Sequence, residues 1–138
     1  MAETNVTRTL DANPEALWAV VRAFDNVSWI PGGEDAEIRG EGIGQVRIFQ
    51  GPESKVHEHL EARDDDSRSL TYTIPEGVPF PVTGYRATRL VTDDGGRGRL
   101  SWTCEFEPDG VTKQEASKAI EAMYGVMLGW IEDLLKRG

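Results

Sequence analysis

The sequence predicts a single α+β domain over residues 1–138, in which a curved antiparallel sheet lies against a long C-terminal helix. Three observations predict it. The chain is long enough for one domain with a real core, but not for two. Its middle alternates short strand-like segments with turn residues, and its last quarter carries an apolar stripe at helical spacing. Helices segregated on one face of an antiparallel sheet make an α+β domain.

The N-terminal quarter predicts a strand followed by two short helices. Residues 4–10 have the pattern of an edge strand. Asn13 stands where a helix N-cap is expected, a proline follows it, and apolar side chains recur at helical spacing as far as Phe24. Residues 25–30 predict a second short turn of helix, which the following Pro-Gly-Gly run ends.

Six further strands are expected in the middle of the chain. Their separators are rich in Gly, Pro and Asp and are short enough for hairpins, so the sheet is expected to be antiparallel. The predicted strands are 35–40, 44–50, 55–63, 68–74, 82–93 and 97–107. With the N-terminal strand they make a seven-stranded sheet.

The C-terminal segment predicts one long helix. Thr112 and Glu115 form a T-x-x-E capping box at its start. Apolar residues then recur on one stripe, namely Ala116, Ala119, Ile120, Met123, Met127, Leu128, Ile131, Leu134 and Leu135. A helix of this length must lie across a wide apolar surface, and the sheet is the one available.

Composition excludes several classes of partner. The net charge is -9 and no cluster of Lys and Arg is present, so nucleic acid and anionic membranes are disfavoured. The single cysteine, Cys104, excludes an internal disulfide, and the absence of metal-ligand spacing predicts neither a metal nor another cofactor. The first residues lack the features of a secretion signal, so a cytoplasmic location is expected. Both a monomer and a homodimer are compatible with the sequence.

Strand alternation predicts an internal cavity. Glu58 in 55–63 and Arg89 in 82–93 each share a face with apolar neighbours. An unpaired charge is costly in a packed core, so these charges indicate ion pairs or the wall of a wet pocket. The expected ligand-binding residues are Arg47, Glu58, Tyr72, Tyr85, Ala87, Arg89, Trp102, Tyr124, Met127 and Leu128.

Motifs along the strands follow a known pattern. They are His57-Glu58-His59-Leu60-Glu61 with Asp64-Asp65, Leu70-Thr71-Tyr72, Thr83-Gly84-Tyr85 and Gly42-Ile43-Gly44-Gln45-Val46-Arg47. They resemble the E-x-L-x-x-x-D-D…L-x-(Y/F)…(N/D)-Y and G-x-G-x-x-R patterns of bacterial polyketide cyclase/dehydrase-like proteins and plant abscisic-acid receptors. These proteins belong to the START/polyketide-cyclase/birch-pollen-allergen (SRPBCC) superfamily. The resemblance covers nearly the whole chain and implies a helix-grip fold, whose cavity holds steroids, plant hormones, polyketides, lipids or aromatic metabolites.

The resemblance also implies roles for particular positions. Glu58 and Tyr85 match polar residues that line the cavity, and Pro75–Pro81 matches the loop that gates its entrance in the receptors. The receptors meet the ligand carboxylate with a lysine shortly after their second helix. Here that segment, Trp29-Ile30-Pro31-Gly32-Gly33, has no lysine, so a neutral and mostly apolar occupant is expected.

Two functions stay open at this point. One is binding of a hydrophobic small molecule without chemistry, and the other is a polyketide cyclase/aromatase or dehydratase that uses Glu58 or Tyr85 for proton transfer. Glu58 is either a polar anchor in the cavity or one half of an ion pair with Arg47 or Arg89. His57-Glu58-His59 is expected to place both histidines on the solvent side, and Cys104 is expected to be a small buried apolar residue.

Overall fold

The computed structural model describes residues 1–137, which form seven strands and two α-helices. The strands are β1 (Ala2–Thr9), β2 (Glu37–Arg39), β3 (Val46–Gln50), β4 (Lys55–Asp64), β5 (Ser69–Glu76), β6 (Val82–Asp94) and β7 (Arg97–Pro108). The helices are α1 (Pro14–Arg22) and α2 (Lys113–Arg137), and a single 3-10 turn at Gly33–Asp35 precedes β2.

All seven strands form one antiparallel sheet in the order β1-β7-β6-β5-β4-β3-β2. Consecutive strands from β2 to β7 are neighbours, as hairpin connections require. The first strand instead pairs with the last, which brings the N-terminus to the edge opposite β2. The predicted seven-stranded sheet and the long helix that closes it are confirmed.

The first helix begins as its sequence predicts and ends slightly earlier. Asn13 Oδ1 accepts a hydrogen bond of 2.7 Å from the backbone N–H of Ala16, which makes it the N-cap. The helix ends at Arg22 rather than near Phe24. The predicted second short helix does not lie at 25–30; the 3-10 turn after it takes its place. Within 25–30, Asn26 Oδ1 accepts a hydrogen bond of 3.2 Å from Ser28 N, and such a side-chain bond competes with the backbone bonds of a helix.

The capping box of α2 is confirmed, because Thr112 and Glu115 exchange two side-chain-to-backbone hydrogen bonds of 3.1 Å each. The buried row of the helix comprises Ala116, Ile120, Tyr124, Leu128 and Ile131. It is narrower than the predicted stripe. Ala119 is exposed, and Met123 is 37% exposed, so neither packs on the sheet.

Burial along the strands follows the predicted alternation except at two irregularities. One lies between Leu60 and Ala62 of β4 and leaves Ala62 exposed, where strict alternation predicts it inward. The other spans Thr83 to Arg86 of β6. Beyond it the strand is regular, so Arg89 faces inward as predicted. No helix within residues 1–137 combines the length and apolar character that crossing a membrane requires.

Candidate functional site

A pocket of about 380 Å³ lies between the C-terminal half of α2 and the inner face of the sheet. Its volume falls in the range of small-molecule sites. Its walls come from the segment before β2, from strands β3, β4 and β6 with their adjoining turns, and from α2. The lining residues are Trp29, Ile30, Pro31, Gly32, Asp35, Arg47, Phe49, Gln50, Gly51, Pro52, Val56, Glu58, Pro79, Arg89, Met127 and Trp130.

Arg47 and Glu58 form a buried ion pair in the wall. They stand directly opposite each other across β3 and β4, and Arg47 Nε donates to Glu58 Oε1 at 2.5 Å. Arg47 Nη1 also donates to the backbone oxygen of Phe24 at 2.9 Å. Burial lowers the pKa of Arg47, and the carboxylate of Glu58 opposes that shift. The two charges therefore compensate each other inside the protein.

Arg89 has no such partner. It is 2% exposed, and its guanidinium carbon lies 4.3 Å from the ring centroid of Trp102, 5.0 Å from that of Tyr72 and 5.8 Å from that of Trp29. Within residues 1–137, its Nε is the one buried side-chain polar atom that lacks a hydrogen-bond partner, and no carboxylate forms an ion pair with the guanidinium. The pocket wall therefore carries an uncompensated positive charge.

An aromatic cluster fills the space beside the pocket, between the middle of the sheet and α2. Trp102 stacks on Tyr124 with ring centroids 4.0 Å apart. The Trp102 indole N–H donates to the Tyr72 hydroxyl at 3.3 Å, and the Tyr72 and Tyr85 hydroxyl oxygens are 3.2 Å apart. The Tyr85 hydroxyl also bonds that of Tyr124. The four polar groups satisfy one another, as buried hydroxyls require.

Burial keeps the phenols and the thiol of this region neutral. It raises the pKa of Tyr72, and it raises the pKa of Tyr85 and Tyr124 well above the ordinary value for tyrosine. It also raises the pKa of Cys104 to about 11, and this buried cysteine is far from the low-pKa state of a reactive thiol.

The predicted site residues fall into two groups. Arg47, Glu58, Arg89 and Met127 line the pocket together. The others are buried in the adjoining core and do not line it, namely Tyr72, Tyr85, Ala87, Trp102, Tyr124 and Leu128. Tyr85 instead underlies a separate surface hollow beside the loop between β5 and β6. The sequence predicts a cavity that all ten residues line. In the structure four of them line a pocket, and the other six belong to the packed core beside it.

Several wall residues were missed by the sequence reasoning. Phe49 follows Arg47 by two positions on the same strand, and Trp130 follows Met127 by three on the helix, so strand and helix periodicity point to both. Trp29 lies in an irregular segment, where no periodic signal exists.

The loop between β5 and β6 borders the pocket through Pro79. Gly77 has a φ of 78°, and a Cβ there would lie 1.8 Å from the backbone oxygen of Lys55, so only glycine lets this loop pack on the start of β4. His57 Nε2 lies 3.4 Å from Glu76 Oε2 at the same place. His57 and His59 are half-buried on the face opposite Glu58, as alternation predicts.

Comparison with known proteins finds one matching family and several solved structures of similar fold. A family model described as polyketide cyclase/dehydrase and lipid transport matches residues 1–135. The protein XoxI from Bacillus cereus is 27% identical, with a TM-score of 0.83 over 98% of this chain and 96% of that one. A solution structure from Thermobifida fusca is 28% identical, with a TM-score of 0.83 over 99% of this chain and 95% of that one.

A plant enzyme shares the fold at lower identity. Norcoclaurine synthase from Thalictrum flavum is 20% identical, with a TM-score of 0.74 over 99% of this chain and 87% of that one. Among curated proteins, no sequence matches the chain. The family match and these neighbours agree with the helix-grip fold and the superfamily that the strand motifs resemble.

Proposed function

We propose, because the chain belongs to the polyketide cyclase/dehydrase and lipid transport family, that its pocket binds a small hydrophobic molecule. The ligand class is a polyketide, a lipid or an aromatic metabolite. The observation that carries the proposal is the pocket of about 380 Å³, whose largely apolar wall contains only a few polar groups. Small-molecule sites have this composition, because apolar walls supply affinity and a few polar groups fix orientation.

The aromatic side chains of the wall support the same proposal. Trp29, Phe49 and Trp130 border the pocket from three different elements. Aromatic rings on several sides favour a planar or elongated apolar ligand. The packed cluster of tyrosines next to the pocket limits the ligand to the space under the C-terminal half of α2.

A neutral fluorescent probe tests the proposal. Phenylnaphthylamine fluoresces strongly once it leaves water, and Trp29 and Trp130 are close enough to transfer excitation energy to a molecule in the pocket. We expect saturable binding of this probe with quenching of tryptophan emission. A probe that shows no saturable binding to the wild-type protein would contradict the proposed function.

Two matched variants locate the site. Met127 and Met123 lie on successive turns of α2, but Met127 borders the pocket whereas Met123 does not. Met127→Trp should fill part of the pocket and weaken probe binding at least about tenfold, because the larger side chain occupies space that the probe needs. Met123→Trp should leave binding unchanged. Equal effects from the two substitutions would place the probe elsewhere.

Proton-transfer catalysis of the cyclase or dehydratase type is the second candidate. The observation in its favour is Glu58, a carboxylate in the pocket wall. Its Oε1 is engaged by Arg47, and Tyr85 lies outside the pocket, so the two groups share no substrate position. Native mass spectrometry of the protein from its own host would identify the bound molecule. Conversion of that molecule by wild-type protein but not by Glu58→Gln, with binding retained, would favour an enzyme over a binder.

A further inference from the structure

We propose that the pocket takes an apolar molecule bearing one carboxylate, and that Arg89 is the residue that recognises this carboxylate. The inference rests on the proposed binding function and specifies the chemistry of its ligand. It departs from the neutral occupant that the sequence predicts. That expectation follows from a missing lysine before β2, whereas the cation in the structure comes from β6.

The first step of the argument is the bonding of Arg89. Three aromatic rings lie within 5.8 Å of its guanidinium carbon, and its buried Nε has no hydrogen-bond partner in the described chain. Ring faces attract a cation, but they accept no conventional hydrogen bond from its N–H groups. A guanidinium presents a fork of donors that matches the two oxygens of a carboxylate. The rings therefore hold Arg89 in the wall and leave donors for a ligand.

The second step is the charge of the pocket. Arg47 and Glu58 neutralise each other, which leaves Arg89 as one positive charge in the interior. An uncompensated buried charge is costly, and a bound carboxylate removes that cost. Asp35 also borders the pocket, but it is exposed at the rim and so is largely screened by water.

The surface does not attract anions by itself. The chain has a net charge of -9, so its long-range field repels a negatively charged molecule. A preference for a carboxylate over a neutral molecule of the same shape must therefore come from a local contact, and Arg89 is the unpaired cation in the pocket wall.

A matched pair of ligands tests the inference. Naphthoate and naphthamide share ring system and shape, and they differ in the charge of one group. In calorimetric titrations the wild-type protein should bind naphthoate at least about tenfold more tightly, as a charge-assisted hydrogen bond predicts. Arg89→Met should abolish the preference by weakening naphthoate alone, and Arg89→Lys should retain part of it. Arg86→Met removes the same charge from the exposed face of β6 and should keep the preference.

Thermal unfolding without ligand gives a readout that a merely structural arginine would not give. Arg89→Met should raise the Tm, because it replaces an uncompensated buried cation with an apolar side chain. Arg86→Met should leave the Tm nearly unchanged. A lower Tm for Arg89→Met together with an undiminished affinity for naphthoate would overturn the inference, since it would mean that the guanidinium serves the ligand-free fold and not the ligand.

The remaining outcomes separate this inference from the proposed function. Equal affinity of the wild-type protein for naphthoate and naphthamide, or binding of phenylnaphthylamine without binding of naphthoate, would overturn the carboxylate inference and leave hydrophobic binding intact. Failure of all three molecules to bind would overturn the proposed function itself.

Discussion

Two buried arginines of one pocket differ in whether a carboxylate pairs with them. Arg47 is 1% exposed and meets Glu58, whereas Arg89 is 2% exposed and meets only rings. Breaking a buried ion pair leaves one charge without compensation, which costs free energy. Removing a buried charge that has no partner eliminates that cost. We therefore expect substitutions of the two side chains to have opposite effects on stability, although both are buried arginines.

Arg47→Met is expected to destabilise the protein by about 3–5 kcal/mol, because it leaves the Glu58 carboxylate without its partner and the backbone oxygen of Phe24 without a donor. Urea denaturation would measure the loss. The double variant Arg47→Met with Glu58→Met should recover most of it, since no charge is then stranded. A double variant as unstable as the single one would show that the bond to Phe24, rather than the ion pair, carries the stability.

At the scale of elements, α2 contains two glycines whose effect on the helix the sequence leaves open. They either permit close approach of a strand or a ligand, or they only lower helix propensity. A Cβ added at Gly125 or Gly129 would meet nothing within 4 Å, and neither residue lines the pocket. No described strand or loop needs these glycines, so propensity is their main effect.

Gly125→Ala and Gly129→Ala should each stabilise the protein by about 0.5–1 kcal/mol, because alanine loses less backbone entropy in a helix. Chemical denaturation would measure the gain, and the affinity for phenylnaphthylamine should not change. Gly77→Ala is the contrasting control. Its φ of 78° and the 1.8 Å approach to Lys55 predict a clear loss of stability. Weaker probe binding by either helix variant would show that a ligand reaches that face of α2.

At the scale of the whole molecule, periodicity predicts which side chains face inward but not which of them meet. Alternation places Arg89 and Glu58 on the inner face, and the capping box fixes the start of α2. The distance from sheet to helix depends on sheet curvature, which no local pattern encodes. Tyr85 and Tyr124 are 39 positions apart and yet share a hydrogen bond. The short distance between the sheet and α2 brings the three tyrosines together, and their side chains fill space that would otherwise enlarge the pocket.

Burial of the tyrosine cluster predicts cooperative unfolding in alkali. The chain has three tyrosines, all in the cluster, and burial raises the pKa of each above the ordinary value of about 10. The native state then holds more protons than the unfolded state, so stability falls as the pH rises. The loss begins near pH 9, because the thiol of Cys104 ionises there in the unfolded chain, whereas burial raises its native pKa to about 11. Burial raises the pKa of Tyr72 more than the nearby positive charge of Arg89 lowers it.

Above about pH 10 the free energy of unfolding should fall by about 1.4 kcal/mol per pH unit for each buried tyrosine, until the native pKa is reached. Near-ultraviolet absorbance of tyrosinate should therefore appear together with the loss of circular dichroism, and not before it. Tyr85→Phe should reduce the slope above pH 10 by about 1.4 kcal/mol per pH unit, which is the contribution of one buried tyrosine, whatever its stability at neutral pH. Tyrosinate formed near pH 10 by a protein with native circular dichroism would mean that water reaches the cluster, and the pocket would then extend into the space that the tyrosines occupy.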